Sequence, residues 1–356
     1  MNWGNKIRLT VFGESHGPAI GAVLDGLPAG EELDPAGIAA QMARRAPGQD
    51  PTATQRKESD APRVLSGLLD GKTTGAPLCA VIENTSQHSK DYENLLSVPR
   101  PGHADYTAFL RYQGFNDVRG GGHFSGRLTA PLVFAGAVCR QILRRRGIRI
   151  GAHVLSIHGV SDLPFDPVSI PDSLLKDLSS RYFPTLSKEA QEAMRAEIEK
   201  ARMNLDSVGG VVECAVTGVP GGFGGPLTEG VESSLSSLLF GIPACKGVEF
   251  GEGFAASELY GSENNDPLFL DGEGEIRTRT NRAGGILGGI TNGMPIVFRA
   301  AFKPTPSIGR EQESVDLLTR TEAKLTVKGR HDPCIVPRAV PVVEAAAAIA
   351  LLDLLA

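Results

Sequence analysis

The sequence is poor in aromatic residues. Phe, Trp and Tyr make up 6% of its 356 positions, with a single Trp. It also lacks cysteine pairs. Cys79, Cys139, Cys214, Cys245 and Cys334 are five in number, and no two stand close enough to form a C-x-x-C site. An odd, unpaired count excludes a disulfide-stapled scaffold. It predicts buried free thiols in a reducing cytosol, with Cys79 and Cys214 inside apolar strand-like runs. The seven histidines include no i,i+4 pair, so no bound transition metal is expected. The opening MNWGNKIRLTVF has no apolar core of the signal-peptide kind. The run from Ala339 to Ala356 is broken by Glu344 and Asp353, so it predicts a buried helix and not a membrane span. A cytoplasmic protein without membrane contact follows. An excess of positive charge is missing too: the net charge of −5 argues against nucleic-acid binding.

Glycine and proline, by contrast, are plentiful, at 43 and 24 residues. They imply many turns and close backbone approaches. Apolar residues at 41% and charged residues at 22% are ordinary for a globular chain. The charge is uneven. Residues 1–150 carry 18 basic against 14 acidic side chains, and residues 151–356 carry 18 against 27. Arginine outnumbers lysine 25 to 11. Guanidinium is the better bidentate partner for carboxylate and phosphate, so an anionic ligand is one reading of this bias, and an Arg-rich surface is the other.

One internal similarity organises the chain. Residues 67–78 read GLLDGKTTGAPL and residues 285–296 read GILGGITNGMPI, matching at a constant offset at Gly67/Gly285, Gly71/Gly289, Thr73/Thr291, Gly75/Gly293 and Pro77/Pro295. Upstream, GAVLDGLPAG (21–30) resembles GVVECAVTGVPGG (210–222), and each precedes a helix candidate, Asp34 to Arg45 and Thr228 to Phe240. Downstream, Arg127-Leu-Thr-Ala-Pro-Leu-Val resembles Arg338-Ala-Val-Pro-Val-Val, and each opens a long apolar helix. Three matches in one order suggest a duplicated unit. The expected pseudo-repeats are about 8–150 and 207–356, joined by a helical connector 151–206 in which Ser187 caps a solvated helix. The hairpin-like spacing favours an α+β fold: an internally duplicated β-α-β sandwich, two largely antiparallel sheets around a helical layer.

Several motifs do not carry the chemistry they suggest. Gly13-Glu-Ser-His-Gly17 fits a nucleophile elbow, but a second strand follows it where a helix is required, so a serine hydrolase is disfavoured. Gly67-Leu-Leu-Asp-Gly71-Lys72-Thr73 has one residue too few for a P-loop. Gly251-Glu-Gly253 has no good helix after it. What remains is a set of Gly-flanked polar loops: Ser15-His16, Arg100-Pro-Gly-His103-Ala-Asp105, Arg119-Gly-Gly-Gly-His123-Phe-Ser125-Gly-Arg127, Phe302-Lys303-Pro-Thr-Pro-Ser307 and Gly329-Arg330-His331-Asp332-Pro-Cys334. Glycine lets backbone N–H groups approach an anion, and histidine can move a proton near neutral pH. Three His loops beside Arg point to a site. His88, His153 and His158 lack that setting and read as structural.

In this order, GESHG, RPGHAD, RGGGHFSGR, the GGILGGITNG–FKPT pair and GRHDPC–RAVP resemble the chorismate synthase family over essentially the whole chain, 1–356, as one domain. The resemblance implies a lyase that converts 5-enolpyruvylshikimate 3-phosphate to chorismate and phosphate by 1,4-elimination, the last common step of aromatic biosynthesis in the shikimate pathway. It implies a need for reduced FMN without net redox change, and a homotetramer. For a chain of this length, with no room for an added reductase domain, dependence on an external flavin reductase is the simpler expectation, against reduction of its own flavin with NADPH. A non-catalytic flavin- or phosphate-binding protein on the same fold is the alternative. By resemblance, His16 protonates the departing phosphate, His103 acts on the reduced flavin ring, and Asp332 works with the flavin to remove the ring proton, with Ser15 and Ser125 positioning that relay. The substrate residues implied are Arg45, Arg100, Arg127 and Arg338. The FMN residues implied are His123, Phe124, Ser125, Ala244, Gly288, Lys303, Pro304, Thr305, Pro306, Ser307 and Arg330. Many members have Arg-Ser-Ser-Ala-Arg-Glu-Thr where this chain has His123-Phe-Ser-Gly-Arg-Leu-Thr129. A further family Arg falls near Pro51, where Arg56 on the same loop is the candidate replacement.

Overall fold

The computed structural model describes residues 1–48, 50, 60–85, 97–327 and 332–356. Pro51, Arg56, His88, Arg330 and His331 lie outside them. Two five-stranded antiparallel sheets dominate. The first runs Asn2–Trp3, Arg8–Gly13, Ala19–Asp25, Leu78–Glu83, Arg63–Ser66 in spatial order. The second runs Cys245–Phe250, Ile296–Phe302, Gly210–Thr217, Arg149–Ile157, Val160–Ser161. Leu9 and Val11, two apart, turn to the core as strand alternation requires.

Two helices lie between the sheets. Thr129–Arg145 packs on Ala19–Asp25 and Leu78–Glu83, and Val336–Leu355 packs on Arg149–Ile157 and Gly210–Thr217. They touch one another along their lengths, which small residues permit. A methyl group at Gly136 would meet Cα of Ala345 at 2.3 Å, and Ala345 to Ala348 are all buried. This is the expected α+β sandwich. The helix Val336–Leu355 is also the expected buried one, and both acids that interrupt its apolar run have partners. Buried Glu344 accepts from Arg44 (2.5 Å), Arg140 (2.7 Å) and the Ala152 N–H (3.0 Å). Asp353 accepts the backbone N–H groups of Asn5, Lys6 and Ile7.

The two similar segments fold alike. Leu68–Leu69 pairs with Lys72–Thr73, and Ile286–Leu287 with Ile290–Thr291, as short hairpins. Gly67, Gly71 and Gly75 take φ of 81°, 77° and 84°, and Gly285, Gly289 and Gly293 take 83°, 84° and 87°. Thr73 donates its hydroxyl to Pro28 O and accepts from the Glu31 N–H. Thr291 donates to Pro220 O and accepts from the Phe223 N–H.

One expectation needs correction. Residues 151–206 are not purely helical. Their start lies in Arg149–Ile157, which pairs along its whole length with Gly210–Thr217 in the second sheet. That strand holds the place beside Gly210–Thr217 that Arg8–Gly13 holds beside Ala19–Asp25. The rest is helical, with Asp172–Leu178 and Lys188–Met203, the latter capped by Ser187 Oγ accepting from the Ala190 N–H (3.1 Å). All five cysteines are free thiols, but Cys79 is half-buried where a buried one was expected.

Candidate active site

A cleft of about 830 Å³ opens at the N-terminal ends of the two central helices. Thr129 and Leu132 line it from the first helix, and Arg338, Ala339 and Val342 from the second. Helix N-termini carry partial positive charge, so both helices favour an anion here.

One wall is a guanidinium cluster. Arg45, the last residue of the helix Pro35–Arg45, donates to Asp60 (2.6 Å), to Thr129 Oγ1 (3.1 Å) and to Gly126 O (3.1 Å). Arg127 donates to the other Asp60 oxygen and to Asn84 Oδ1 (3.1 Å). Arg338 donates to Asp332 and to Arg45 O (2.9 Å). Burial alone would raise the Asp60 carboxyl, but Arg45 and Arg127 hold it below the usual carboxylate range. Burial draws the Arg45 guanidinium down against the pull of Asp60, and Arg338 and Arg127 add to that. Three guanidiniums against two carboxylates leave the wall net positive.

The opposite wall is built by RPGHAD. Pro101 and Gly102, with φ of 73°, form a turn that the His103 N–H closes on Arg100 O (3.2 Å). The turn folds Asp105, first residue of the helix Asp105–Tyr112, back onto Arg100 and His103. Asp105 accepts from Arg100 Nε (2.7 Å) and Nη2 (2.8 Å), and its Oδ1 lies 2.5 Å from His103 Nδ1. Arg100 Nη1 donates to Ser307 Oγ (3.0 Å). Burial would raise the Asp105 carboxyl, yet the bonds from Arg100 and His103 bring it far below the ordinary range.

Between His16 and His103 runs the Gly120-Gly121-Gly122 step, all three at positive φ. Gly120 lies against the His16 ring and Ser15 Oγ, and Gly121 against the His103 ring and Arg100. Ser15 Oγ lies 3.2 Å from His16 Nδ1 and also donates to Arg119 O. Half-buried Ser15 and His16 border the cleft through Gly120 and do not themselves line it.

The remaining expected residues divide. His123, Phe124, Ser125, Ala244, Lys303, Thr305, Pro306, Ser307 and Asp332 line the cleft. His123 stacks on Phe124 at 4.2 Å and meets the Tyr112 hydroxyl at 3.3 Å. Lys303 donates from Nζ to Gly102 O, and burial, with Lys246 near, lowers its ammonium. Pro304 packs at Gly209 and does not line the cleft. Gly288 lies apart from the others. It sits exposed at the tip of the Ile286–Thr291 hairpin, outside the cleft, in the turn position that Asp70 holds in the other hairpin. The backbone turn accounts for it within this chain.

Sequence reasoning missed Asp60, Asn84 and Thr129, which hold the guanidinium cluster, and left Asp105 without a role. Asp105 and Thr129 had a signal, their places inside RPGHAD and in the run His123 to Thr129. Leu128, where the family pattern has Glu, is buried in the core beside the cleft.

The family model described as chorismate synthase matches residues 7–356. The chain is 47% identical to the chorismate synthase of Thermococcus kodakarensis over 98% of this chain and 96% of that one. It is 49% identical to that of Aeropyrum pernix over 99% and 92%. A crystal structure of a chorismate synthase superposes with a TM-score of 0.76 at 29% identity, covering 99% of this chain and 92% of that one. Nothing favours a non-catalytic protein on this fold, and the chain belongs to the chorismate synthase family.

Proposed function

We propose that this shikimate-pathway lyase converts 5-enolpyruvylshikimate 3-phosphate to chorismate and phosphate with reduced FMN bound in the cleft. The observation that carries the reading is the pairing of a net-positive guanidinium wall with a histidine wall across one ligand-sized cavity. The lining fits a flavin nucleotide. Leu132, Leu238, Phe240 and Ile335 offer an apolar surface to a ring system, while Lys303, Thr305 and Ser307 offer donors to a phosphate. Phe124, Ala244 and Arg330 belong to the same binding set, and Gly288 joins it only through another copy of the chain. When bound, reduced flavin supplies electron density to the substrate and takes it back.

The chain's own residues bind, orient and move protons. Arg45, Arg127 and Arg338 hold the substrate's carboxylates and phosphate, with Arg100 supporting from the facing wall. His16, oriented by Ser15, protonates the departing phosphate. Asp332, which accepts from Arg338, takes part in removing the ring proton, and Ser125 positions the Gly126–Leu128 turn by accepting the Arg127 N–H (3.3 Å). His103 presents a proton-handling nitrogen to the cleft. The working form is a cytoplasmic homotetramer served by an external flavin reductase. The two halves are copies of one unit, the second starting at Arg149.

Purified protein given substrate and reduced FMN without oxygen should release phosphate and chorismate in equal amounts, and release of neither overturns the reading. NADPH with oxidised FMN should support no turnover. His16→Ala should lower turnover by roughly 100- to 10,000-fold while FMN binding by fluorescence quenching persists. Wild-type turnover in that variant removes His16 from the proton transfer.

A further inference from the structure

Arg100 Nε, Arg100 Nη2 and the Arg100 N–H all donate to Asp105, and none of them can accept. The Asp105 carboxylate, kept ionised by these donors, cannot donate. Its Oδ1 nevertheless lies 2.5 Å from His103 Nδ1. Such a contact with a group that only accepts needs a proton on Nδ1. The 3.1 Å approach of Arg100 Nη2 to the same nitrogen then follows from both donors sharing one oxygen. With Nδ1 occupied, Nε2 is the nitrogen left to meet a ligand; it lies beside Gly121, and the His103 side of this contact lines the cleft.

We propose that Asp105 is a positioning residue that fixes His103 as the Nδ1–H tautomer and so delivers Nε2 to the cleft. The inference rests on the reading of His103 as a proton-handling group. It goes further, because it assigns which nitrogen works and what makes it do so. Arg100 is part of the same device: it saturates Oδ2 and half of Oδ1, leaving the carboxylate one strong direction, towards the imidazole. The turn at Pro101-Gly102 sets the spacing, so the six residues RPGHAD form one oriented unit.

The test begins with the wild-type protein free of cofactor, labelled with 15N at histidine. At a pH where the ring is neutral, His103 should carry its proton on Nδ1, and a proton on Nε2 overturns the proposal without any variant. In Asp105→Asn the amide oxygen satisfies Arg100 and its NH2 faces Nδ1, so the proton should move to Nε2. Turnover should fall at least about 100-fold in kcat with KM within about threefold, as expected when a tautomer is lost and binding is kept. Asp105→Glu should restore the Nδ1 proton and part of the rate. An unchanged tautomer and kcat in Asp105→Asn overturn the proposal. If the tautomer moves as expected but His103→Ala turns over normally, the reading of His103 fails and the positioning by Asp105 stands.

Discussion

A methyl group at Gly120 would lie 2.2 Å from Cε1 of His16 and 2.9 Å from Ser15 Oγ. One at Gly121 would lie 3.0 Å from Cε1 of His103. The step is therefore a spacer of backbone only, thin enough for two imidazoles to flank it. Gly120→Ala should push His16 aside. A displacement near 1 Å can cost about 100-fold in rate, so kcat should fall by that order. The left-handed backbone adds a stability loss of about 1–2 kcal/mol. Steady-state kinetics with a thermal melt would check both, and wild-type kcat with a lowered melting temperature would show the spacer to be structural alone. Much of the site was legible at this scale because its glycines, histidines and arginines stand in compact motifs. Asp60 was not. It ends a mixed polar run, Gln55 to Asp60, in which nothing marks one acid above another. Its role arises from Arg45 and Arg127, which lie 15 and 67 positions away.

Strands and helices divide in the same way. The helices Pro35–Arg45 and Lys188–Met203 were readable as helix candidates, the second with Ser187 as its cap, and the structure adds Asp34 as the cap of the first. The strand Arg149–Ile157 was not, because its partner Gly210–Thr217 lies beyond two intervening helices and local pattern carries no trace of the pairing. That sheet also hides a row of charge. Side chains of Glu249, Arg299, Glu213 and His153 sit at paired positions on four adjacent strands, and Asp162 closes the row. Burial would lower the His153 imidazole, but hydrogen bonds to Asp162 and Glu213 raise it. Its stabilising effect is complete below the unfolded value, about 6.5, and is lost as pH rises through the folded value. Burial would raise Asp162 and Glu213, and their partners lower them, so their share is lost as pH falls through the folded values. The melting temperature should therefore decline above pH 6.5. His153→Gln should melt lower at pH 6 and show a flatter alkaline decline, measured by calorimetry across pH 6–9. An equally steep decline in the variant would refute the protonated row.

At the scale of the whole molecule, a chain of net charge −5 holds a positive cleft because charge is placed by fold and not by composition. The N-terminal half supplies Arg45, Arg100 and Arg127, and the acidic half supplies Lys303 and Arg338 at the same place. Asp353 joins the two extremes of the fold. Asp353→Ala leaves the buried Ile7 N–H and its neighbours without their acceptor, which should cost about 1–3 kcal/mol for each group left unpaired. Urea unfolding should show a lower midpoint with an unchanged slope, and an unchanged midpoint would mean that water serves those groups as well. The same contact sets an order of events. Asp353 and Ile7 are 346 positions apart. A nascent chain cannot make this bond until the helix Val336–Leu355 is free, so the first sheet waits for that helix with its entry turn unanchored. Closing so long a loop comes late and slowly. Maturation of the cleft, whose floor is the start of that same helix, must come later still.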